Sequence, residues 1–163
     1  MIELKNVVVK AKNRLILDVP ELHFEKGKRY GIIGENGSGK TTLLRLLMGT
    51  VKASQGSIEG LNLDHKVGYL PQSPYAFSFS VLRNVSMTLE KEQARETLAF
   101  NTLEKVGLAG LIHSKGSTLS GGEKQRLGLA RVLAVPKEVL LLDEPTSATD
   151  IRGTDLVEGL LQE

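Results

Sequence analysis

Hydrophobic and polar positions recur with different periods along the chain, and these periods predict the order of its elements. Residues 21–25 alternate with period two, residues 26–27 supply a turn, and residues 28–33 become apolar, which predicts two adjacent strands. Four leucines within Thr41–Met48 then cover most of the circumference of a helix. A helix with so wide an apolar surface is predicted to be largely buried.

The second half of the chain predicts helices followed by another strand. A helical period begins near residue 81 and continues through a charged stretch to residue 105, which predicts a helical insert. Residues 121–134 place apolar side chains on one helical face, and residues 139–142 form a short apolar run of the kind buried in a parallel sheet. With a further strand predicted at residues 66–70, the alternation of strands and helices around a glycine-rich loop predicts an α/β fold.

The composition restricts the classes of function. A chain of 163 residues with 40% apolar and 25% charged residues suits one globular domain. Its 21 basic and 19 acidic side chains give a net charge of only +2, so direct nucleic-acid binding is not expected. The absence of cysteine fits a cytoplasmic location. No apolar run approaches the roughly 20 residues that span a bilayer, so any work at a membrane is expected to go through a partner.

The segment GENGSGKTT, residues 34–42, matches the phosphate-loop pattern G-x-x-x-x-G-K-[ST]. Glycines let the backbone approach a phosphate, Lys40 can reach the β and γ phosphates, and the Thr41 hydroxyl can bind Mg²⁺. The alternative is a Gly-Ser turn that contains Lys-Thr by chance and has no binding function. An apolar strand before the segment and an apolar helix after it favour a nucleoside triphosphate site. The predicted binding residues are Gly34, Asn36, Gly37, Ser38, Gly39, Lys40, Thr41 and Thr42.

Two adjacent acids follow the predicted strand at residues 139–142. A carboxylate at the end of such a strand can hold Mg²⁺, and a second can deprotonate an attacking water, so we assign these roles to Asp143 and Glu144. The alternative is that the acids only mark a strand end before Pro145. The phosphate loop upstream favours the catalytic interpretation, because adjacent charges rarely end a buried strand without compensation.

The segment LSGGEKQR, residues 119–126, resembles the signature of the ATP-binding cassette (ABC) ATPases. Gln72 stands where this family has its Q-loop glutamine, residues 142–147 are similar to its Walker B stretch, and residues 147–150 resemble its D-loop, with Thr149 in place of a leucine. The resemblance covers essentially the whole chain. It implies a P-loop NTPase fold with a parallel sheet, an N-terminal antiparallel β-subdomain and a small helical insert.

The resemblance also divides the chain into parts. It implies a nucleotide-binding core at residues 1–72 and 135–163, and a helical subdomain at residues 73–134 that contains the signature helix.

The same resemblance implies an activity, cofactors and partners. It implies an ATPase that uses ATP and Mg²⁺, with Glu144, Gln72 and Lys40 in catalysis and Thr41, Gln72 and Asp143 at the metal. Two subunits are expected to pair head to tail, so that the signature of one covers the ATP of the other. The signature residues expected to bind that nucleotide are Ser120, Gly121, Gly122 and Glu123. Transmembrane permease subunits are the other expected partners, at the inner face of the cell membrane.

Three features keep alternatives open. Residues 73–82 hold an unusual share of the aromatic side chains, which fits either a surface that receives the permease or ordinary packing of the insert. Ala11 stands where the family usually stacks an aromatic ring on adenine, which predicts weaker nucleotide binding. No histidine follows Glu144, although the family has a switch histidine there. We therefore expect either a piece of a longer chain or a naturally short protein with impaired catalysis.

The resemblance leaves two alternatives to a transport ATPase. One is a soluble ABC-type ATPase that acts on ribosomes or DNA, although such relatives usually carry tandem cassettes or long insertions. The other is a module that binds ATP without efficient hydrolysis.

Overall fold

A computed structural model describes residues 1–61, 67–89, 95–147 and 151–161. They form two compact units, Met1–Val67 and Gly68–Glu163. The finer division into a nucleotide-binding core and a helical subdomain stays a prediction. Predictions that fall on residues 62–66, 90–94 and 148–150, including most of the D-loop, lie outside the described residues.

The first unit contains an antiparallel sheet of three strands in the order β2-β1-β3, which confirms the predicted β-subdomain. Its elements are β1 (Ile2–Ala11), β2 (Arg14–Phe24), α1 (Lys40–Leu47) and β3 (Gln55–Glu59). Lys12 and Asn13 connect β1 to β2 with φ of 46° and 67°. Two left-handed residues in a two-residue loop form the turn whose twist suits a hairpin.

Helix α1 confirms the prediction of a buried helix after the glycine loop. Its four leucines are all buried, and the helix contacts β2. Gly39 precedes the helix with φ of 96°, and a Cβ added there would lie 3.1 Å from the carbonyl oxygen of Ile16. The close approach and the left-handed backbone together explain why this position holds glycine.

The predicted strand at residues 28–33 is wrong, because this segment has no paired strand among the described residues. Ile33 is 97% exposed. The segment is attached at Tyr30, whose ring lies 5.0 Å from the Phe24 ring and whose hydroxyl accepts a 2.9 Å hydrogen bond from the Glu25 N–H. An apolar run forms a strand only when the backbone of another segment supplies hydrogen bonds to it. The local sequence pattern does not show whether such a segment is available.

The second unit combines helices with a short parallel sheet formed by β4 and β5. Its elements are β4 (Val67–Leu70), α2 (Val81–Ser86), α3 (Arg95–Lys105), α4 (Gly121–Leu133), β5 (Val139–Leu142), α5 (Ile151–Leu160) and two 3₁₀ turns, Ala109–Leu111 and Gly116–Thr118. The sheet and the helices confirm the predicted α/β class. Leu140 in β5 is exposed, so this strand is less buried than its apolar run predicts.

Helices α2, α3 and α4 contact one another around the core of the second unit. Fully buried side chains in this core include Val81, Val85, Leu103 and Leu127. Gly128 lets α4 approach the segment that follows β4, since an added Cβ would lie 2.6 Å from the Pro74 Cβ. None of the helices in the described ranges combines the length and hydropathy that a bilayer crossing requires.

Candidate functional site

The phosphate loop in the first unit is folded around the ammonium group of Lys40. Its Nζ donates hydrogen bonds to the carbonyl oxygens of Gly34, at 2.7 Å, and Glu35, at 2.9 Å. Gly37 has a φ of 82°, which is accessible to glycine at little cost. Gly34 lacks space for a side chain, because an added Cβ would lie 2.7 Å from the Ser38 Oγ. The loop therefore holds a positive charge in a tight backbone turn.

Helix α1 begins at Lys40, within this loop, and has no side-chain cap. The first turn of a helix carries N–H groups that lack intrahelical partners and about half a positive charge from the helix dipole. An anion bound at such a helix end can accept hydrogen bonds from first-turn N–H groups. The uncapped helix and Lys40 thus provide the two features that a phosphate needs at residues 34–42.

Ala11, in the same unit, lies at the end of β1 opposite Arg14 and is exposed. A methyl side chain offers no aromatic face for an adenine. The expectation of weaker base stacking stays a prediction.

Asp143 and Glu144 directly follow β5, and their side chains lie in different environments. Asp143 is only 5% exposed, and its Oδ2 lies 3.4 Å from the Tyr69 hydroxyl, which donates to it. Its backbone N–H donates to the carbonyl oxygen of Leu70 in β4, at 2.9 Å. Glu144 is exposed. One acid is therefore fixed within the second unit, whereas the next presents its carboxylate to solvent.

Glu144 adopts a strained backbone and holds the predicted glutamine. Its φ of 50° is left-handed, a conformation that costs a non-glycine residue about 1–2 kcal/mol. The Ser147 N–H and hydroxyl donate to its carbonyl oxygen at 3.2 and 3.0 Å, and Gln125 Nε2 does so at 3.5 Å. Gln72 Nε2 donates to Oε2 of the carboxylate at 2.8 Å. Strain of this kind is concentrated at functional sites, and here it accompanies direct contact between two predicted catalytic residues.

The signature segment forms a complete capping box at the start of α4. The Ser120 Oγ accepts from the Glu123 N–H at 3.3 Å, and the Glu123 carboxylate accepts from the Ser120 N–H at 2.7 Å and from its hydroxyl at 2.8 Å. Gly121 and Gly122 lie between these two residues in the first turn. The serine, both glycines and the glutamate that were predicted from the sequence are therefore assembled at one helix N-terminus.

The pH dependence of stability tests this capping box. The hydrogen bond from the Ser120 backbone, followed by that from its hydroxyl, lowers the pKa of Glu123. Because the folded-state pKa is depressed, the stabilisation is fully present above the unfolded-state pKa and is lost as pH falls through the folded value. We expect Glu123→Gln to lower the free energy of unfolding at neutral pH by about 0.5 kcal/mol, a small effect because the residue is partly exposed and solvent screens its charge.

Urea denaturation at a series of pH values measures this difference. It is expected to shrink as the pH falls below the usual range of a glutamate. Glu96→Gln is the matched control, because it also removes an acidic residue from the first turn of a helix, α3. A difference that stays constant down to acid pH would contradict the assignment.

Three aromatic side chains, Tyr75, Phe77 and Phe79, form a surface on the second unit that we call the aromatic surface. Tyr75 is 70% exposed, and the other two rings are also exposed. Tyr75 and Phe77 meet edge to face at 5.1 Å, and Phe77 and Phe79 stack at 6.1 Å. Arg83 lies 4.5 Å from the centre of the Phe79 ring. The rings therefore pack on one another at the surface and are not absorbed into the core.

Two residues beneath this surface were missed by the sequence analysis. Asn84 is a buried polar residue within α2, and Arg131 extends from α4 to bond with it. The only sequence signal for Asn84 is a polar amide inside the apolar helical pattern of residues 81–85. Nothing in the local sequence indicates that Arg131 faces inward.

Comparison with known proteins identifies the family. A family model described as "ABC transporter" matches residues 6–147. The zinc import ATP-binding protein ZnuC of Photorhabdus laumondii is 36% identical over 153 residues, which cover 94% of this chain and 59% of that protein. The methionine import ATP-binding protein MetN of Staphylococcus haemolyticus is 38% identical over 184 residues, which cover 99% of this chain and 54% of that protein. The chain thus spans little more than half the length of these two relatives.

The structural comparison agrees. The solved structure of a dimeric ATP-binding cassette, MJ0796, in a post-hydrolysis state bound to ADP and Pi matches this chain with a TM-score of 0.87 at 26% sequence identity. The match covers 99% of this chain and 82% of that protein chain. The family match includes the phosphate loop, Gln72, the signature segment and both acids after β5. This chain therefore belongs to the ABC transporter family of ATP-binding proteins.

Proposed function

We propose that this chain is the ATP-hydrolysing part of a membrane transporter, converting ATP and water to ADP and phosphate at the cytoplasmic face of a permease. The observation that carries the proposal is the contact between Gln72 and the strained Glu144 in a chain that also has a complete phosphate loop. The family membership and the import functions named for its relatives support it.

In this proposal, the phosphate loop binds the triphosphate of ATP. The backbone N–H groups and Lys40 neutralise the phosphate oxygens, and Lys40 exchanges its two loop carbonyls for them. Thr41, Gln72 and Asp143 would hold Mg²⁺ together with phosphate oxygens. This donor set of hydroxyl, amide and carboxylate oxygens fits a hard cation, which when bound neutralises charge on the phosphates.

Glu144 is proposed as the general base. Its exposed carboxylate can accept a proton from the water that attacks the γ-phosphate, and Gln72 orients both the carboxylate and that water. The hydrogen bonds from Ser147 to the Glu144 carbonyl hold the backbone that directs the carboxylate. Aligning a base before the reaction lowers the entropic cost of reaching the transition state.

The signature segment is proposed to bind the nucleotide of a second copy or of a related subunit. Ser120, Gly121, Gly122 and Glu123 stand at an N-terminus whose dipole favours phosphate. ATP would then join two subunits head to tail, and hydrolysis would separate them. Opening and closing of this dimer is the proposed mechanical output.

The aromatic surface is proposed as the contact with the permease. The exposed rings pack on one another and present an apolar surface that a partner can cover. Aromatic side chains are enriched in protein–protein interfaces. Arg83, against the Phe79 ring, and Arg131, against the Phe77 ring, add positive charge. The location of the chain at the membrane would follow from this contact.

ATP-dependent dimerisation tests the proposal. Sedimentation of the purified chain should show a dimer with Mg²⁺ and ATP and a monomer with ADP. Gly122→Asp should remove the ATP-driven dimer, because a carboxylate at the signature repels phosphate, while ATP binding to the phosphate loop remains. ATP binding without any dimer would oppose the head-to-tail arrangement, and binding without turnover would favour the binding-only module.

Fractionation separates the transport proposal from the ribosomal alternative. A tagged chain expressed in its source cells is expected in a detergent-solubilised membrane complex. Recovery with ribosomes instead would overturn the transport assignment.

A further inference from the structure

Arg131 directs three hydrogen bonds from α4, two to Asn84 in α2 and one to the segment that carries the aromatic surface. Its Nε donates to the carbonyl oxygen of Asn84 at 3.1 Å, its Nη2 donates to the Asn84 Oδ1, and its Nη1 donates to the carbonyl oxygen of Tyr75. The guanidinium also lies 5.2 Å from the centre of the Phe77 ring. The side chain is half-buried, and burial lowers the pKa of Arg131 because desolvation disfavours the charged form.

Asn84 completes the connection from inside. It is 0% exposed, and its Nδ2 lies within 3.1 Å of the carbonyl oxygens of Phe77, Phe79 and Ser80. Its Oδ1 accepts from the Phe77 N–H at 2.9 Å. The backbone that carries two of the three exposed rings therefore closes around one buried amide, and Arg131 holds that amide from α4.

The space beneath the aromatic surface allows little rearrangement. Gly116 lies against it, and an added Cβ there would be 2.4 Å from the Phe77 carbonyl oxygen and 3.0 Å from the Asn84 Nδ2. Ser80 forms a bridge with Lys115 on the same side. A buried polar network has few alternative arrangements, because each lost hydrogen bond leaves an unsatisfied group.

The same segment and the same helix reach Glu144 at their other ends. Gln72, three residues before Tyr75, donates to the Glu144 carboxylate, and Gln125, in the first half of α4, faces the Glu144 carbonyl oxygen. The segment from Gln72 to Phe79 is thus attached to Glu144 at one end and to Arg131 further along.

We propose that Arg131 is a positioning residue that, directly and through Asn84, fixes the aromatic surface to α4 and couples that surface to Gln72 and Glu144. A partner that displaces the exposed rings then displaces α4 and the proposed base together. The inference rests on the proposed function, in which the aromatic surface receives the partner and Glu144 acts on ATP.

Amide hydrogen exchange and chemical shifts of the ¹⁵N-labelled chain test the proposal without nucleotide or partner, so failure here is distinct from failure of the ATP-driven dimer. Arg131→Met is expected to raise the exchange rate of the Phe77 amide about tenfold, the effect of losing a hydrogen bond to a charged group. The rate at Leu103, in the core of α3, should change much less. A role in stability alone would raise both rates by the same factor and would overturn the proposal.

Arg83→Met is the matched control, since Arg83 touches the same aromatic surface through the Phe79 ring. It should leave exchange at Phe77 within about twofold of wild type, because the hydrogen bonds described for the Phe77 backbone involve Asn84, which is held by Arg131 and not by the Arg83 side chain. Arg131→Lys should rescue only part of the protection, because one ammonium lacks the planar fork that reaches two residues. Arg131→Lys also serves as the test variant where Arg131→Met does not fold.

Coupling is measured by adding Phe77→Ala to each background. With Arg131 present, this change should shift the amide resonances of Gln125 and Glu144, and with Arg131→Met those shifts should fall by more than half. Equal shifts in both backgrounds would show that Arg131 does not connect the surface to Glu144.

Discussion

Replacing Lys40 by alanine is expected to weaken ATP binding at least about a hundredfold. The ammonium group makes two hydrogen bonds to loop carbonyls, and ATP offers phosphate oxygens in their place. Hydrogen bonds to charged groups contribute about 1.5–3 kcal/mol each, so losing two of them corresponds to a factor of about 100 or more in the dissociation constant. The effect should be larger than that of any surface lysine.

Titration calorimetry with Mg²⁺ and ATP measures this change. Lys28→Ala is the control, because Lys28 is exposed and lies only a few residues before the loop. Circular dichroism should confirm that both variants fold, since the buried residues of α1 are its four leucines. Unchanged affinity in Lys40→Ala would remove the phosphate-loop assignment.

Glu144→Gln is expected to keep ATP binding and to reduce turnover by about 10²- to 10⁴-fold, the usual contribution of a general base. The amide oxygen of the new side chain can still accept from Gln72 Nε2, so the contact survives while the proton acceptor is lost. Since ATP then stays intact, the ATP-bound dimer should persist longer than in the wild type.

Phosphate release in single-turnover conditions measures the chemical step separately from binding. The control is Glu158→Gln, which removes an exposed carboxylate from α5 without touching Gln72. Undiminished turnover in Glu144→Gln would exclude Glu144 as the base.

Local signals were sufficient for the elements that carry the motifs. The leucine spacing after Lys40 predicts α1 because a single helix with this spacing can bury all four leucines, as the structure shows. The capping box at Ser120 and Glu123 follows from residues three positions apart, which one helical turn brings together regardless of the rest of the fold. Both motifs therefore appear in the structure where the sequence places them.

Pairing between distant segments is where local signals were insufficient. Residues 28–33 have the apolar pattern of a strand, yet Ile33 is almost fully exposed. Strand formation depends on hydrogen bonds from another segment. The apolar pattern of residues 28–33 does not show whether another segment lies beside them to form these bonds. The opposite case is Arg131, which local pattern would assign to the solvent but which hydrogen-bonds to a residue 47 positions away.

The sequence by itself determines the residue types of the phosphate loop, the two acids and the signature segment, because each of these motifs depends on neighbours within one turn or one strand end. Gln72 is predicted only by its position in the resemblance to the ABC ATPases. The left-handed backbone of Glu144, its contact with Gln72 across 72 positions, and the link from Arg131 to the aromatic surface were decided only in the tertiary structure. The physical reason is that a strained dihedral and a buried guanidinium are tolerated only where distant groups supply their hydrogen bonds.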